Sequence, residues 1–218
     1  MYEYFIFDLD GTIINSEQGV TRCTSYALKY FGIDEKPENL LHFIGPPLHY
    51  SFKKFYNFSD EQAATAVAKF RERYSEKGIF ECSLYDGMKQ SLEYLYNNGK
   101  KLAVATSKYE PFAVQILKNL GVDKYFSTVV GSSYGADFAQ KKLIIGAVIE
   151  KLSAEKEKCV MVGDTQFDII GANEAGIDSI AVSYGFGTAQ EIESGNPTHI
   201  IDSPEKLRQF VRFGKINN

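Results

Sequence analysis

Two aspartates one residue apart close the apolar run Tyr4-Phe5-Ile6-Phe7-Asp8-Leu9-Asp10-Gly11-Thr12-Ile13-Ile14. The run is too short to span a membrane and reads as a buried, parallel strand. Successive side chains alternate across a strand, so Asp8 and Asp10 point to opposite sides of the pleat. In open α/β sheets ligands sit just beyond the carboxyl ends of strands, where both aspartates lie. A second acidic constellation is Val160-Met161-Val162-Gly163-Asp164-Thr165-Gln166-Phe167-Asp168. Asp164 ends another apolar strand, and Asp168 follows in the first turn of a helix, four residues on, so the two carboxylates can converge. Asp164 alone would also suit a helix N-cap. Like charges about 4 Å apart cost roughly 4 kcal/mol at an effective dielectric of 20, so two such clusters would repel one another. A hard divalent cation resolves that conflict, and oxygen-only ligands favour Mg²⁺.

Two further positions suit an anion beside a cation. Thr106-Ser107 follows the apolar strand Lys101-Leu102-Ala103-Val104-Ala105 and precedes a helix. It brings a hydroxyl and backbone N–H groups to the same sheet edge, ahead of a helix end of the kind that binds phosphate. Thr106 could instead cap that helix. Lys141 or Lys142 starts a helix after the irregular stretch Gly131 to Gln140, and by composition either could be a solvated surface lysine. His42 and His49 flank Gly45-Pro46-Pro47, where a substrate contact competes with packing or surface roles. His199 sits in the edge-strand candidate Thr198-His199-Ile200-Ile201 and is assigned no chemistry.

The elements needed to position these residues fall into two groups. Helices are expected over 17–31 and from Ser59 to Gly78, the latter opened by a Ser59–Gln62 capping box, with no strong strand candidate between Ile14 and Cys82. From Asp86 onward helices at 86–98, 110–120, 141–152 and 166–175 alternate with strands at 101–105, 128–130, 159–162 and 179–182. Such alternation implies βαβ units and a parallel sheet. The expected fold is α/β: a Rossmann-like core of residues 1–14 and 84–218, interrupted after its first strand by an all-helical cap of residues 15–83.

Composition narrows the function classes. The chain has 218 residues and a formal net charge of −4, which argues against a nucleic-acid partner. No stretch approaches the roughly 20 apolar residues of a membrane helix. The start lacks a basic region before an apolar one, so no signal peptide is expected. Cys23, Cys82 and Cys159 are odd in number and widely spaced, as expected of reduced thiols in a cytoplasmic protein.

Asp8-Leu9-Asp10-Gly11-Thr12, Thr106 after an apolar strand, a lysine near 141, and Gly163-Asp164 with Asp168 resemble the four motifs of the haloacid dehalogenase superfamily. Their order, and a helical insertion straight after the first motif, resemble the phosphoglycolate phosphatase-like branch. The resemblance implies that Asp8 is a nucleophile forming an aspartyl-phosphate, and that Asp10 is the general acid and then the base. It implies that Thr106, with Ser107, and Lys141 hold phosphoryl oxygens. Asp8, the main-chain carbonyl of Asp10, and Asp164 would bind Mg²⁺, with Asp168 supporting the metal or its waters. A carboxylate of ordinary pKa about 3.9 is already ionised at neutral pH and needs no activating base. One departure stands out: the branch commonly carries Lys-Pro at its third motif, where this chain has Gln140-Lys141-Lys142-Leu143.

The expected function is Mg²⁺-dependent hydrolysis of a small phosphate ester by a cytoplasmic monomer or homodimer. A phosphomutase similar to β-phosphoglucomutase is the alternative. Those enzymes usually have a histidine ten residues after the second aspartate, where this chain has Val20. A non-catalytic phospho-acceptor domain would leave the insertion unexplained.

Overall fold

The apolar run that opens the chain is divided by its own turn. In the computed structural model, which describes residues 1–133 and 140–213 (the last two by backbone alone), strand β1 covers only Tyr4–Phe7. Beyond it the Leu9 carbonyl accepts from the amides of Thr12, Ile13 and Ile14. Gly11 adopts φ +83°, a region open to glycine and costly for residues with a Cβ. The chain leaves this turn as β2 (Ile14–Asn15), antiparallel to β3 (Ser83–Leu84). The expected long strand is therefore two short ones, because a reversal must intervene to aim Asp8 and Asp10.

Between the two strands of this neck lie three helices: α1 (Glu17–Tyr30), α2 (Leu48–Tyr56) and α3 (Asp60–Glu76). The expected capping box opens α3, with the Gln62 amide donating to Ser59 Oγ at 3.2 Å and the Ser59 amide to Gln62 Oε1 at 3.0 Å. Ala63, Ala66, Val67, Phe70 and Tyr74 form its buried stripe at helical spacing.

The rest of the chain builds α4 (Met88–Asn97), β4 (Lys101–Tyr109), α5 (Glu110–Asn119), β5 (Phe126–Ser132), α6 (Lys141–Leu152), β6 (Cys159–Gly163), α7 (Gln166–Ala175), β7 (Asp178–Val182), α8 (Ala189–Ser194), β8 (His199–Ile201) and α9 (Gln209–Phe213). Six strands pair in the order β5-β4-β1-β6-β7-β8, every pair parallel. Successive strands step outward from β1 on both sides, so the carboxyl end of β1 is the topological switch point where open sheets bind ligands. Residues 134–139, which hold most of the expected irregular stretch 131–140, lie outside the described residues, as do 214–218.

Both faces of the sheet are buried, which the continuous apolar strands demand. Phe5 and Phe7 join one cluster with Val104, Val162 and helices α4 and α5; Ile6 joins another with Ala103, Met161, Ile145 and Ala172. Burying each of the Phe, Val, Ile and Met side chains contributes about 1.5–3 kcal/mol. The first cluster runs on without a break through Phe43, Phe52, Phe70 and Tyr74, so the helical insertion rests on the same apolar mass as the sheet. His199 does lie on the edge strand, its Nε2 3.3 Å from the Tyr2 hydroxyl. The three cysteines are free. Among the described residues no helix is long and apolar enough to cross a membrane.

Candidate active site

Asp8 immediately follows β1, and its amide still donates to the Val162 carbonyl at 2.8 Å, so the β6 ladder holds its backbone. Lys141, the first residue of α6, crosses to it from another element: Nζ lies 2.8 Å from Asp8 Oδ1 and 2.7 Å from Asp168 Oδ1. Lys142 is exposed and lines an outer groove with Phe167 and Glu174. Of the two lysines left open by the sequence, the fold brings Lys141 to the aspartates. An ammonium has three donors, and these two contacts leave one for a bound oxygen.

Asp164 immediately follows β6 and is fully buried. It is not a helix cap, because Thr165 takes the N-cap position of α7. Asp164 Oδ1 accepts from Thr12 Oγ1 at 3.2 Å, and its Oδ2 accepts from the Phe186 amide at 2.9 Å. The loop Tyr184-Gly185-Phe186-Gly187 is pressed against this aspartate: a Cβ on Gly187 would stand 2.0 Å from the Asp164 carbonyl oxygen. Asp168 Oδ2 accepts from the Thr165 amide at 3.0 Å and its hydroxyl at 2.8 Å. Asp8, Asp164 and Asp168 can each offer one oxygen such that all three lie within 4.8 Å of one another.

Asp10 faces the opposite side of the turn, 9% exposed, with Oδ1 3.0 Å from the ammonium of Lys108. β4 continues past its expected end to Tyr109, so Lys108, two residues beyond Thr106, lies on the strand as well. Thr106 therefore does not cap α5, whose N-cap is Tyr109; its buried hydroxyl accepts from the Lys108 amide at 3.2 Å. Ser107 lines the cavity beside it.

That cavity, about 100 Å³, has Asp8, Asp10, Thr106, Ser107 and Lys108 on its sheet side, faced by Phe43, Gly45, Pro46, Pro47, Phe70, Arg71 and Tyr74 of the insertion. His42 and His49 are not among its lining residues. The His42 ring packs 4.1 Å from the Phe55 ring, and His49 Nε2 lies 3.8 Å from Asp60. His42 is thus packed against an aromatic ring, and His49 lies beside an acidic side chain of the insertion.

Burial pushes the Asp8 carboxyl up to about 6; Lys141 pulls it down and Asp168 pushes it up again. Burial, then Asp168 and Asp8, raises Asp164 as well. Burial would deprotonate Lys141, but Asp168 and Asp8 outweigh it and hold the ammonium charged. Asp10 and Tyr74 do the same for Lys108. Four carboxylates thus meet two ammonium groups, leaving two negative charges uncompensated when all are ionised. A single divalent cation on the oxygen cluster fits that deficit.

The raised Asp8 value has a consequence for stability. Between the ordinary carboxylate pKa near 4 and about 6, the folded state binds more protons at Asp8 than the unfolded chain. Stability must then fall as pH rises through that window. Chelator-treated protein should melt at a higher temperature near pH 5 than a titration without Asp8 allows. The excess should vanish in Asp8→Asn; equal pH profiles for both would refute the assignment. Lys141→Ala should lower phosphatase turnover by roughly 10- to 100-fold, the range of a lost charge-assisted contact of about 1.5–3 kcal/mol, and Lys142→Ala by less than about twofold. Equal steady-state kinetics for the two variants would exclude a distinct role for Lys141.

The haloacid dehalogenase-like hydrolase model matches residues 5–182. The chain is 37% identical over 211 residues to a 5'-nucleotidase of Pseudomonas aeruginosa, covering 96% of each chain. It is 35% identical over 209 residues to the tyrosine-protein kinase PtkA of Mycobacterium tuberculosis, covering 94% of this chain and 71% of that one. A crystal structure described as a predicted phosphatase, from Clostridium acetobutylicum, superposes with a TM-score of 0.93 at 37% identity, covering 97% of this chain and 99% of its own. With the aspartate, threonine and lysine motifs gathered at one sheet edge and the family model spanning most of the sequence, the chain belongs to the haloacid dehalogenase-like hydrolases.

Proposed function

We propose that this chain is a Mg²⁺-dependent phosphomonoester hydrolase of a small metabolite, working through an aspartyl-phosphate on Asp8. The observation that carries the reading is the charge arrangement: three convergent buried carboxylates, an ammonium shared by two of them, and a fourth carboxylate, Asp10, beside Asp8 in the cavity lining. Asp8 attacks phosphorus as the ester bond breaks, and the departing oxygen takes a proton from Asp10. Asp10 then accepts a proton from the water that hydrolyses the acyl phosphate, regenerating Asp8. Thr106, Ser107 and the third donor of Lys141 hold the phosphoryl oxygens. Asp8, Asp164 and the Asp10 carbonyl would hold Mg²⁺, with Asp168 orienting Lys141 and the metal's waters; bound there, the cation offsets negative charge on the phosphoryl group.

Residues 15–83 act as a cap in this reading, entering and leaving through the β2–β3 neck and placing Pro46 and Pro47 over the cavity. Val20 favours hydrolysis over a mutase: it lines the cavity as a buried apolar residue that cannot shuttle a proton. The similarity to a 5'-nucleotidase places nucleoside monophosphates among the first esters to test. The experiment is phosphate release from nucleoside monophosphates, sugar phosphates, phosphoglycolate and pyrophosphate with Mg²⁺ present. Release from at least one monoester is expected, and no release from any of them would refute the reading.

A further inference from the structure

Lys108 is a buried cation that the reaction as drawn does not use. It joins three structures: its amide bonds to Thr106 Oγ1 at 3.2 Å, its Nζ lies 3.0 Å from Asp10 Oδ1, and Nζ donates to the Tyr74 hydroxyl at 2.8 Å. The ammonium also stands 4.6 Å from the centroid of the Tyr74 ring. Tyr74 belongs to α3, in the insertion, and is 1% exposed. The Lys108 side chain is 9% exposed, so removing it from water is supportable only with partners in place, and those partners come from opposite sides of the cavity. The contact with Asp10 Oδ1 is an ion pair off hydrogen-bonding geometry, and no other polar group bonds to that oxygen among the described residues. Among the described residues the Lys108 ammonium is thus the charged group beside Asp10 Oδ1, and it is held in turn by a hydrogen bond to Tyr74.

We infer that Lys108 is a positioning residue that makes the acid–base carboxyl depend on seating of the helical insertion. The inference rests on the proposed role of Asp10. With α3 seated, the Tyr74 hydroxyl and ring steer the ammonium onto Oδ1 and leave Oδ2 for the leaving group. The proton passes from Asp10 to the ester oxygen as the phosphorus–oxygen bond breaks and the Asp8–phosphorus bond forms. The carboxylate left behind is then stabilised by Lys108 and remains aimed for its second task as base. With α3 lifted, Tyr74 leaves, Lys108 loses the partner that orients it, and Asp10 loses its brace. Proton transfer would then be confined to the seated state, when the cavity is closed to bulk water.

The test exploits the leaving group. A p-nitrophenolate departs without a proton, whereas an alkoxide requires one. Single-turnover phospho-enzyme formation is measured with p-nitrophenyl phosphate and with an alkyl phosphate, for the wild type, Lys108→Met, Tyr74→Phe and Asp10→Asn, and for Lys108→Met combined with Asp10→Asn. Lys108→Met should slow the alkyl ester about 30- to 100-fold and the aryl ester less than about threefold. Tyr74→Phe, which keeps the ring and removes only the hydroxyl, should slow the alkyl ester about 3- to 10-fold. In the Asp10→Asn background, adding Lys108→Met should change the residual alkyl-ester rate less than twofold, because the effect passes through Asp10. A multiplicative loss in the double variant, or equal loss for both esters in Lys108→Met, would overturn the inference and make Lys108 an independent binding group. Full alkyl-ester activity in Asp10→Asn would overturn the proposed acid–base role itself, a result distinguishable from failure of the Lys108 relay.

Discussion

Asp8→Asn is expected to lower turnover by roughly 10³-fold or more while leaving the protein folded, as removal of a covalent nucleophile does in other enzymes. An amide oxygen is a poor nucleophile toward phosphorus, and among the described residues no other carboxylate shares the position of Asp8: Asp164 is occupied by Thr12 and the Phe186 amide, and Asp168 by Lys141 and Thr165. The fold should tolerate the change because burial is the main influence on Asp8 and disfavours its charge. A neutral amide of the same shape is easier to bury there and can still accept from Lys141. Asp10→Asn should behave differently: with a good leaving group it should still form phospho-enzyme, then hydrolyse it slowly, so that label accumulates on the protein. The measurements are steady-state kcat, thermal melting, and trapping of labelled phospho-enzyme. Near-wild-type turnover in Asp8→Asn would exclude the covalent route.

The residues behind this prediction are the most legible part of the chain, for a physical reason. Asp8 and Asp164 interrupt apolar strands at their carboxyl ends, and a carboxylate there is costly unless something binds it, so pattern alone marks them. Lys108 carries no such mark. In Ser107-Lys108-Tyr109 it reads as an ordinary exposed lysine, and its burial depends on Tyr74, 34 residues earlier in another element. Its burial becomes visible only once β4 is known to run on to Tyr109. The loop Tyr184–Gly187 left a fainter signal: two glycines flank an aromatic residue just after a strand, the spacing of a backbone pressed against something, here Asp164. Helix α2 was missed because Gly45-Pro46-Pro47 reads as a break, although Leu48, Phe52, Phe55 and Tyr56 repeat at helical spacing and Pro47 serves as its N-cap. Lys141 was half legible. Its place at a helix start was evident, but choosing it over Lys142 required the direction in which α6 faces the sheet.

Removal of divalent cations is expected to reduce turnover below about 1% and to lower the melting temperature, with Mg²⁺ restoring both. Two unit charges 4.8 Å apart repel by about 3–4 kcal/mol at an effective dielectric of 20, and Asp8, Asp164 and Asp168 form three such pairs. Among the described residues Lys141 pairs with Asp8 and Asp168, while the partners of Asp164 are neutral, the Thr12 hydroxyl and the Phe186 amide. Asp164 is therefore the carboxylate most dependent on an added cation. A ligand bound only by the folded state stabilises it by about 2.7 kcal/mol at a hundred times its Kd. For a chain in the 150–250-residue range, each kcal/mol moves Tm by about 2–4 °C, so saturating Mg²⁺ should raise it by roughly 5–10 °C. Asp164→Asn should abolish most of that rise and the activity with it, because it removes the charge that has no counterion among the described residues. Unchanged activity after exhaustive chelation, or a full Mg²⁺-dependent rise in Asp164→Asn, would show that the acidic cluster is not the metal site.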